Sequence, residues 1–446
     1  MSKFEGPNIV TSIPGPRASE FVERHKKAFM ASTMVAYPIV GVEGSGVFVK
    51  DVDGNVFLDF AAGIASLPTG HCHPKVVEAV KRQAERLMHF AGNDFYNPLQ
   101  VELAEKLKEI TPGNYDKRVF LSNSGTESCE AALKLSRRHT RRPKLISFIG
   151  AFHGRSMGSL SLSFSKPVHK KYYEPFMGGV LYTPYAYCYR CPFKLVFPDC
   201  DWWCIHFIDE VLFRHVCDPV EVAALFVEPI QGEGGFVVPP LGYLRELRKL
   251  CDEHDILLVC DEVQAGMGRT GKMFGCEHEG VVPDIVCLAK ALGAGLSLGA
   301  TVARADLVDW EPGAHSNSFG GNPVMCAASL ASMEVLVGER LLENAAKVGG
   351  YALKRLGEMR DEHRIIGDVR GKGLMIGVEF VVDKETKERF LRVDGITVEA
   401  HKRGLILLPC GVNCIRIVPP LIINCEQMDR GLEILERSIS DIERRL

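Results

Sequence analysis

Three short apolar runs, each stopping at a charged residue, set the frame of this chain. Ala223-Ala224-Leu225-Phe226-Val227 ends at Glu228-Pro229, Ile256-Leu257-Leu258-Val259-Cys260 at Asp261-Glu262, and Ile285-Val286-Cys287-Leu288-Ala289 at Lys290. Runs this short suit fully buried strands better than core helices. An amphipathic helical pattern from Tyr243 to Glu253 lies between the first two. Buried strands alternating with helices predict a parallel sheet, whose ligands sit beyond the carboxyl ends of the strands. Glu228, Asp261 and Lys290 are therefore expected at one edge. Upstream, Val119 to Leu121 and Leu145 to Phe148 read as further strands, and Leu99 to Ile110 and Gly125 to Leu135 as helices. Nearer the start, Ala18 to Phe29 is a polar helical arm. Asp53-Gly54 then marks a hairpin between 46–52 and 55–60, because that turn needs positive φ. A helix is expected from Pro74 to Met88. The last third changes character: helices at 324–337 and 341–360, strands at Leu374 to Phe380, Leu405 to Leu408 and Ile415 to Val418, and a final helix from Glu426 to Arg444, an α+β arrangement.

Composition narrows the function classes. The chain has 446 residues and a formal net charge of -3 with both signs interspersed. There is neither a basic stripe nor an acidic tail, which argues against nucleic acid as a partner. No apolar run approaches the ~18 to 20 residues of a membrane span, and the first thirty residues carry Glu5, Glu20 and Glu23 in place of a signal-peptide core. A cytoplasmic enzyme with no membrane partner is expected. Of the 15 cysteines, Cys129, Cys251, Cys260, Cys287 and Cys326 sit in apolar patterns and read as small core residues. Cys188, Cys191, Cys200 and Cys204 differ, with two, eight and three residues between successive thiols. Such a group could bind zinc or an iron-sulfur cluster, or form disulfides. The spacing matches none of the usual frameworks well, and Phe193, Phe197, Trp202 and Trp203 between them suggest a packed surface insertion at about 182–217. Structural thiols or disulfides are expected, with no metal. His71 and His73 lack further ligands nearby and read as a loop leading into a helix.

The chemistry follows from the shared edge. A lysine to hold an aldehyde and a carboxylate to keep a pyridine nitrogen protonated are what pyridoxal phosphate requires. Ser122-Asn123-Ser124-Gly125-Thr126-Glu127 breaks a strand into small polar residues at a helix start, pointing backbone N–H groups and the helix dipole at one spot where a phosphate fits.

Asp261-Glu262-Val263-Gln264-Ala265-Gly266-Met267-Gly268-Arg269-Thr270-Gly271, followed by Pro283-Asp284 and Lys290, resembles the signature of the class III (omega) aminotransferases of fold type I. That group includes 4-aminobutyrate, ornithine and acetylornithine aminotransferases. The resemblance covers nearly the entire chain and departs from the best-known members between Tyr182 and Cys217. It implies an α/β fold: a large domain with a mostly parallel seven-stranded sheet flanked by helices, plus a smaller α+β domain. The large, pyridoxal-phosphate-binding domain would span 76–325, with 1–75 and 326–446 forming the small one.

Residue by residue, the resemblance implies that Lys290 carries pyridoxal 5'-phosphate and Asp261 pairs with its ring nitrogen. Gln264 would meet the ring hydroxyl, Val263 the face opposite Phe152, and Ser124, Gly125 and Thr126 the phosphate. His153 holds the place of a second aromatic, and Glu228 joins the network. Ser318, usually threonine, would reach a neighbouring subunit's phosphate, so a homodimer or dimer of dimers with shared sites is implied. Arg416 would bind an α-carboxylate and Arg155 a second carboxylate, a task suited to bidentate guanidinium pairing. Glu233 would mask the arginine when an omega-amine is bound, and shape around Ile64, Tyr96 and Arg155 would select the side chain. The implied reaction moves an amino group from an omega-amine or amino acid, of 4-aminobutyrate or ornithine type, to a keto acid such as 2-oxoglutarate. A racemase of the same fold is the rival, since returning the proton to the other face of the substrate carbon gives the enantiomer.

Overall fold

The computed structural model describes residues 3–33 and 35–446. Its centre is a seven-stranded sheet built from β1 (Lys117–Ser122), β2 (Lys144–Ile149), β3 (Val180–Pro184), β4 (Val222–Val227), β5 (Leu257–Asp261), β6 (Ile285–Leu288) and β7 (Gly299–Arg304). The spatial order is β1-β7-β6-β5-β4-β2-β3. Neighbours from β6 through β3 run parallel, and β7 runs antiparallel to both β6 and β1. Every residue of β4, β5 and β6 is buried, as expected for strands covered on both faces. Leu225, Phe226 and Leu258 are fully enclosed, each contributing about 1.5–3 kcal/mol by leaving water.

The helices cover this sheet with narrow apolar stripes. In Tyr243–Glu253 the buried residues are Tyr243, Leu244, Leu247, Leu250 and Cys251, one face of a 3.6-residue repeat. Gly125–Thr140 buries Ser128, Cys129, Ala131, Ala132, Leu133, Leu135 and Ser136. These mostly small side chains seat the helix close to the sheet. Its start is fixed by Ser124, whose hydroxyl accepts from the Glu127 amide, satisfying one first-turn N–H.

Two four-stranded sheets flank the centre. Gly41–Ser45, Phe48–Asp51 and Val56–Asp59 form a meander, with the expected turn made by Gly54 at φ 93°. Leu405–Ile406 joins its edge in parallel, so the two ends of the chain meet in one sheet. The second sheet orders Ile366–Lys372, Met375–Phe380, Cys414–Ile417 and Leu408–Cys410. The single strand expected at Leu405 to Leu408 is thus two short ones on different sheets, parted at buried Leu407. The cysteine-rich insertion begins inside edge strand β3 and continues as turns, a short helix Trp203–Phe207 and a wide helical stretch Ile208–Val216. Among the described residues no helix is long and apolar enough to cross a membrane.

Candidate active site

Strands β4, β5 and β6 run side by side and in one direction, in register at Val227 with Cys260 and Asp261 with Cys287. Their carboxyl ends therefore open on one cavity of about 400 Å³, lined by Glu228, Asp261, Val263, Gln264 and Lys290. The helix start at Ser124, Gly125 and Thr126 closes one side, and the loop after β2, with Phe152, His153 and Arg155, closes another. Lys290 sits at φ 44°, the first residue of a tight turn. That left-handed conformation is unusual for a residue with a Cβ and is often found at functional positions.

Asp261 is a hub of hydrogen bonds. Its Oδ2 accepts from His153 Nδ1 at 2.7 Å and from the Cys129 thiol at 3.5 Å, and its Oδ1 accepts from the Val263 amide at 3.0 Å. Cys129, His153 and Asp261 are the only group of three or more such side chains, among the described residues, with ligand atoms within 4.8 Å of one another. Their contacts with one another use the same carboxylate oxygen, so the group reads as a hydrogen-bond chain orienting Asp261. Burial opposes charge on His153, but the bond and charge of Asp261, with Glu228 adding, leave its pKa raised. Burial pushes Glu228 up to about 7, opposed by His153 and reinforced by Asp261. Burial also lowers Lys290, as does Arg416, while Asp261, Glu228 and Glu233 oppose that shift. A lysine so placed gives up its proton more readily than one in water.

The phosphate-sized corner is built from backbone. The first amides of a helix have no partner inside it, and here Gly125 and Thr126, at the start of a sixteen-residue helix with its partial positive charge, line the cavity. Gly125 has to be glycine: a Cβ there would stand 2.9 Å from a Val263 methyl. The Thr126 hydroxyl accepts from the Arg155 and Ser156 amides at 3.2 Å each and also touches Ser156 and Ser159, tying the two walls together. Two buried polar atoms at the cavity have no hydrogen-bond partner in the chain, Gln264 Oε1 and His153 Nε2. Buried polar groups are seldom left so. An anion cradle, an oriented carboxylate, an amine of lowered basicity and a spare acceptor fit pyridoxal phosphate.

Five of the expected residues do not line this cavity, among them Tyr96, which is almost fully exposed. Glu233 and Arg416 adjoin it, close enough for their charges to act on Lys290. They pair at 2.7 Å, and the other Glu233 oxygen pairs with Lys166 at 2.7 Å. Arg416 is further held by the Pro409 carbonyl, which accepts from its Nη2 at 2.8 Å. Ile64 is half exposed in the bent segment Ala62–Ala65, which packs on the turn that begins at Lys290. Ser318 is exposed, in a loop beside exposed Phe319. Arg155 stands at the rim, its guanidinium 3.5 Å from His169 Nε2 and 5.7 Å from the Phe152 ring centre. The sequence reading did not find Lys166, Cys129, or the wall of Leu296, Ser297 and Leu298. A larger apolar hollow of about 960 Å³ lies at the N-terminal arm, lined by residues between Phe21 and Val40, and brings no catalytic group together.

This fold and cavity define a vitamin B6 enzyme of fold type I. The family model described as aminotransferase class-III matches residues 29–439, and the chain belongs to that family; its cofactor is pyridoxal 5'-phosphate. The chain is 42% identical over 451 residues to an alanine/serine racemase of Pyrococcus horikoshii, covering 98% of this chain and 94% of the relative. It is 40% identical over 424 residues to an acetylornithine aminotransferase of Caldanaerobacter subterraneus, covering 94% and 99%. A solved ornithine aminotransferase from Toxoplasma gondii, whose description reports partial occupancy of PLP at the active site, superposes with a TM-score of 0.85. That pair is 31% identical and covers 96% of this chain and 95% of the other.

Proposed function

We propose that the protein is a pyridoxal-phosphate-dependent amino acid racemase acting on a small α-amino acid. The observation that carries this reading is the end-to-end likeness to an alanine/serine racemase at 42% identity, on a chain that keeps the whole cofactor cavity. When bound, pyridoxal phosphate supplies an aldehyde for the substrate amine and a ring that accepts the electrons left as Cα loses its proton. Lys290 would hold the cofactor and serve as the base at Cα; its burial favours the neutral amine that this needs. Asp261, oriented by His153 and Cys129, keeps the ring nitrogen protonated. Val263 and Phe152 would pack on the ring, Gln264 would meet its hydroxyl, and Ser124, Gly125 and Thr126 would hold the phosphate. Glu228 sets the charge balance behind them, Arg416 takes the substrate carboxylate, and Ile64 borders the side-chain pocket.

A second reading is transamination. It is favoured by Arg155 at the rim, free to meet a second carboxylate such as that of 2-oxoglutarate, and by the Glu233–Arg416 pair, which would accommodate an omega-amine of 4-aminobutyrate or ornithine type. Incubating the holoenzyme with L-alanine, with and without 2-oxoglutarate, separates the two. The racemase reading expects D-alanine to form without keto acid. Pyruvate and glutamate formed only with keto acid would establish transamination instead, and no product from L-alanine, with 4-aminobutyrate and ornithine also inactive as donors to 2-oxoglutarate, would remove both readings.

We further propose a homodimer in which Ser318 completes the neighbour's phosphate site. Support comes from the exposed Phe319 next to it, 59% exposed in the single chain, a large apolar side chain that a neighbouring subunit would cover. Light scattering at micromolar concentration tests this, and a monomeric active enzyme would refute it. The division into a large unit at 76–325 and a small one from 1–75 and 326–446 belongs to the same proposal.

A further inference from the structure

Away from the cavity, the segment from Tyr187 to Phe207 has little regular structure to hold it, only single turns at Cys188–Arg190 and Trp203–Phe207. It nevertheless anchors buried charges. Tyr187 and Arg190 both donate to Glu379, and Arg370 donates to the Tyr187 hydroxyl at 3.1 Å and to the Gly235 carbonyl at 2.6 Å. The placement of this knuckle is therefore tied to the loop that carries Glu233.

Within it, Cys188, Cys191, Cys200 and Cys204 line one narrow chamber of about 20 Å³, closed by Phe193 and Phe197 among others. Asp201 and Trp202, at φ 44° and 55°, bend the chain between Cys200 and Cys204 so that both reach it. Consecutive left-handed residues with side chains cost energy and persist where their surroundings demand them. All four are free thiols.

We propose that Cys188, Cys191, Cys200 and Cys204 bind a thiophilic metal centre as four thiolates, at a structural site separate from the cofactor cavity. The C-x2-C and C-x3-C pairs fall within the ligand spacings such sites use, and a closed four-sulfur shell is the structural form. The expectation of no metal, drawn from the spacing and from the aromatic residues between the thiols, is set aside because neither showed all four thiols at one chamber. Binding of one divalent ion forms four sulfur–metal bonds and releases the thiol protons to solvent, with no change of oxidation state; an iron cluster would enter already assembled with its inorganic sulfide, forming four sulfur–iron bonds with the same release of protons. Among the described residues only Cys129, His153 and Asp261 bring three ligand atoms within 4.8 Å of one another. The four sulfurs thus stand wider than the about 3.8 Å edge that Zn–S bonds of 2.3 Å would set. Binding either draws them in around one ion or spans them with a sulfide-bridged iron cluster.

The test uses holoenzyme purified without oxygen from cells supplied with zinc and iron. Metal and inorganic sulfide per chain are measured beside Cys191→Ser and Cys200→Ser, with Cys72→Ser as a control outside the chamber. The proposal expects stoichiometric metal in the wild type and in Cys72→Ser, lost from both chamber variants. Zinc without sulfide marks a single ion, and iron matched by sulfide marks a cluster. Should the variants fail to fold, chelation of the wild type gives the same answer: four further thiols become reactive as the metal leaves. Metal-free wild type, metal retained unchanged in both chamber variants, or peptide maps pairing these cysteines as disulfides would overturn the proposal.

Discussion

Replacing Lys166 by methionine tests how Arg416 is made available to substrate. Glu233 lies between two cations, 2.7 Å from each. Burial alone would raise its pKa, but Arg416 and Lys166 hold it below the usual carboxylate range. A substrate carboxylate can take Arg416 only if Glu233 lets go, and in the wild type Glu233 can keep Lys166 when it does. A charge-assisted hydrogen bond contributes about 1.5–3 kcal/mol. The Lys166 side chain is 28% exposed, so screening brings this pair to about 1–1.5 kcal/mol. In Lys166→Met the displaced carboxylate has no second partner, and KM for L-alanine should rise about five- to tenfold with kcat unchanged, the mark of a lost ground-state contribution. Glu233→Gln should move KM the other way by a similar factor, because Arg416 then starts unmasked. Initial rates across substrate concentration, for racemisation or for transamination, read both. If the two variants shift KM in the same direction, or if Lys166→Met lowers kcat at constant KM, the gating argument is wrong.

Other consequences can be measured separately. Lys290→Ala should abolish turnover and the absorbance band of lysine-bound cofactor while still binding pyridoxal phosphate reversibly; a persisting band would show the wrong lysine was chosen. Glu228, raised by burial to about 7 from 4.5, makes no demand on stability when protonated in both states and is costly once ionised in the fold. Stability should thus fall as pH climbs from about 4.5 through 7, by about 3 kcal/mol at most. Glu228→Gln should flatten that slope in denaturant titrations, and an unchanged slope would contradict the shift. Gly125→Val would force side-chain carbons into Val263, already 2.9 Å from a Cβ. Cofactor affinity should fall at least about tenfold, equivalent to about 1.4 kcal/mol, as read by fluorescence titration of the apoenzyme.

The cofactor half of the site was legible in the sequence because it depends on strand ends. Glu228, Asp261 and Lys290 terminate apolar runs, and parallel neighbours necessarily bring such ends together. Lys166 was not legible. It lies in a Ser-Lys-Pro loop with no periodicity, and only the tertiary contact with Glu233 gives it meaning. Strand β7 escaped because Gly299-Ala300-Thr301 carries small residues that packing against β1 and β6, not propensity, holds extended. His153 read as an aromatic stacking position, yet its ring bonds Asp261, a role that sequence spacing of more than a hundred residues conceals. The preference for amino-group transfer over racemisation came from motifs around the cofactor, which both reactions share; whole-chain likeness to a racemase reverses that order.

The most direct test of the account is exchange of the substrate α-hydrogen in deuterated water. Holoenzyme given L-alanine and no keto acid should wash deuterium into Cα, since Lys290 must remove that proton in either reading and the carbon can then take a hydrogen exchanged with solvent, and Lys290→Ala should wash in none. Exchange that survives in Lys290→Ala, or its absence in an enzyme shown to hold pyridoxal phosphate and to accept L-alanine, would contradict the claim that this lysine and Asp261 work on one cofactor.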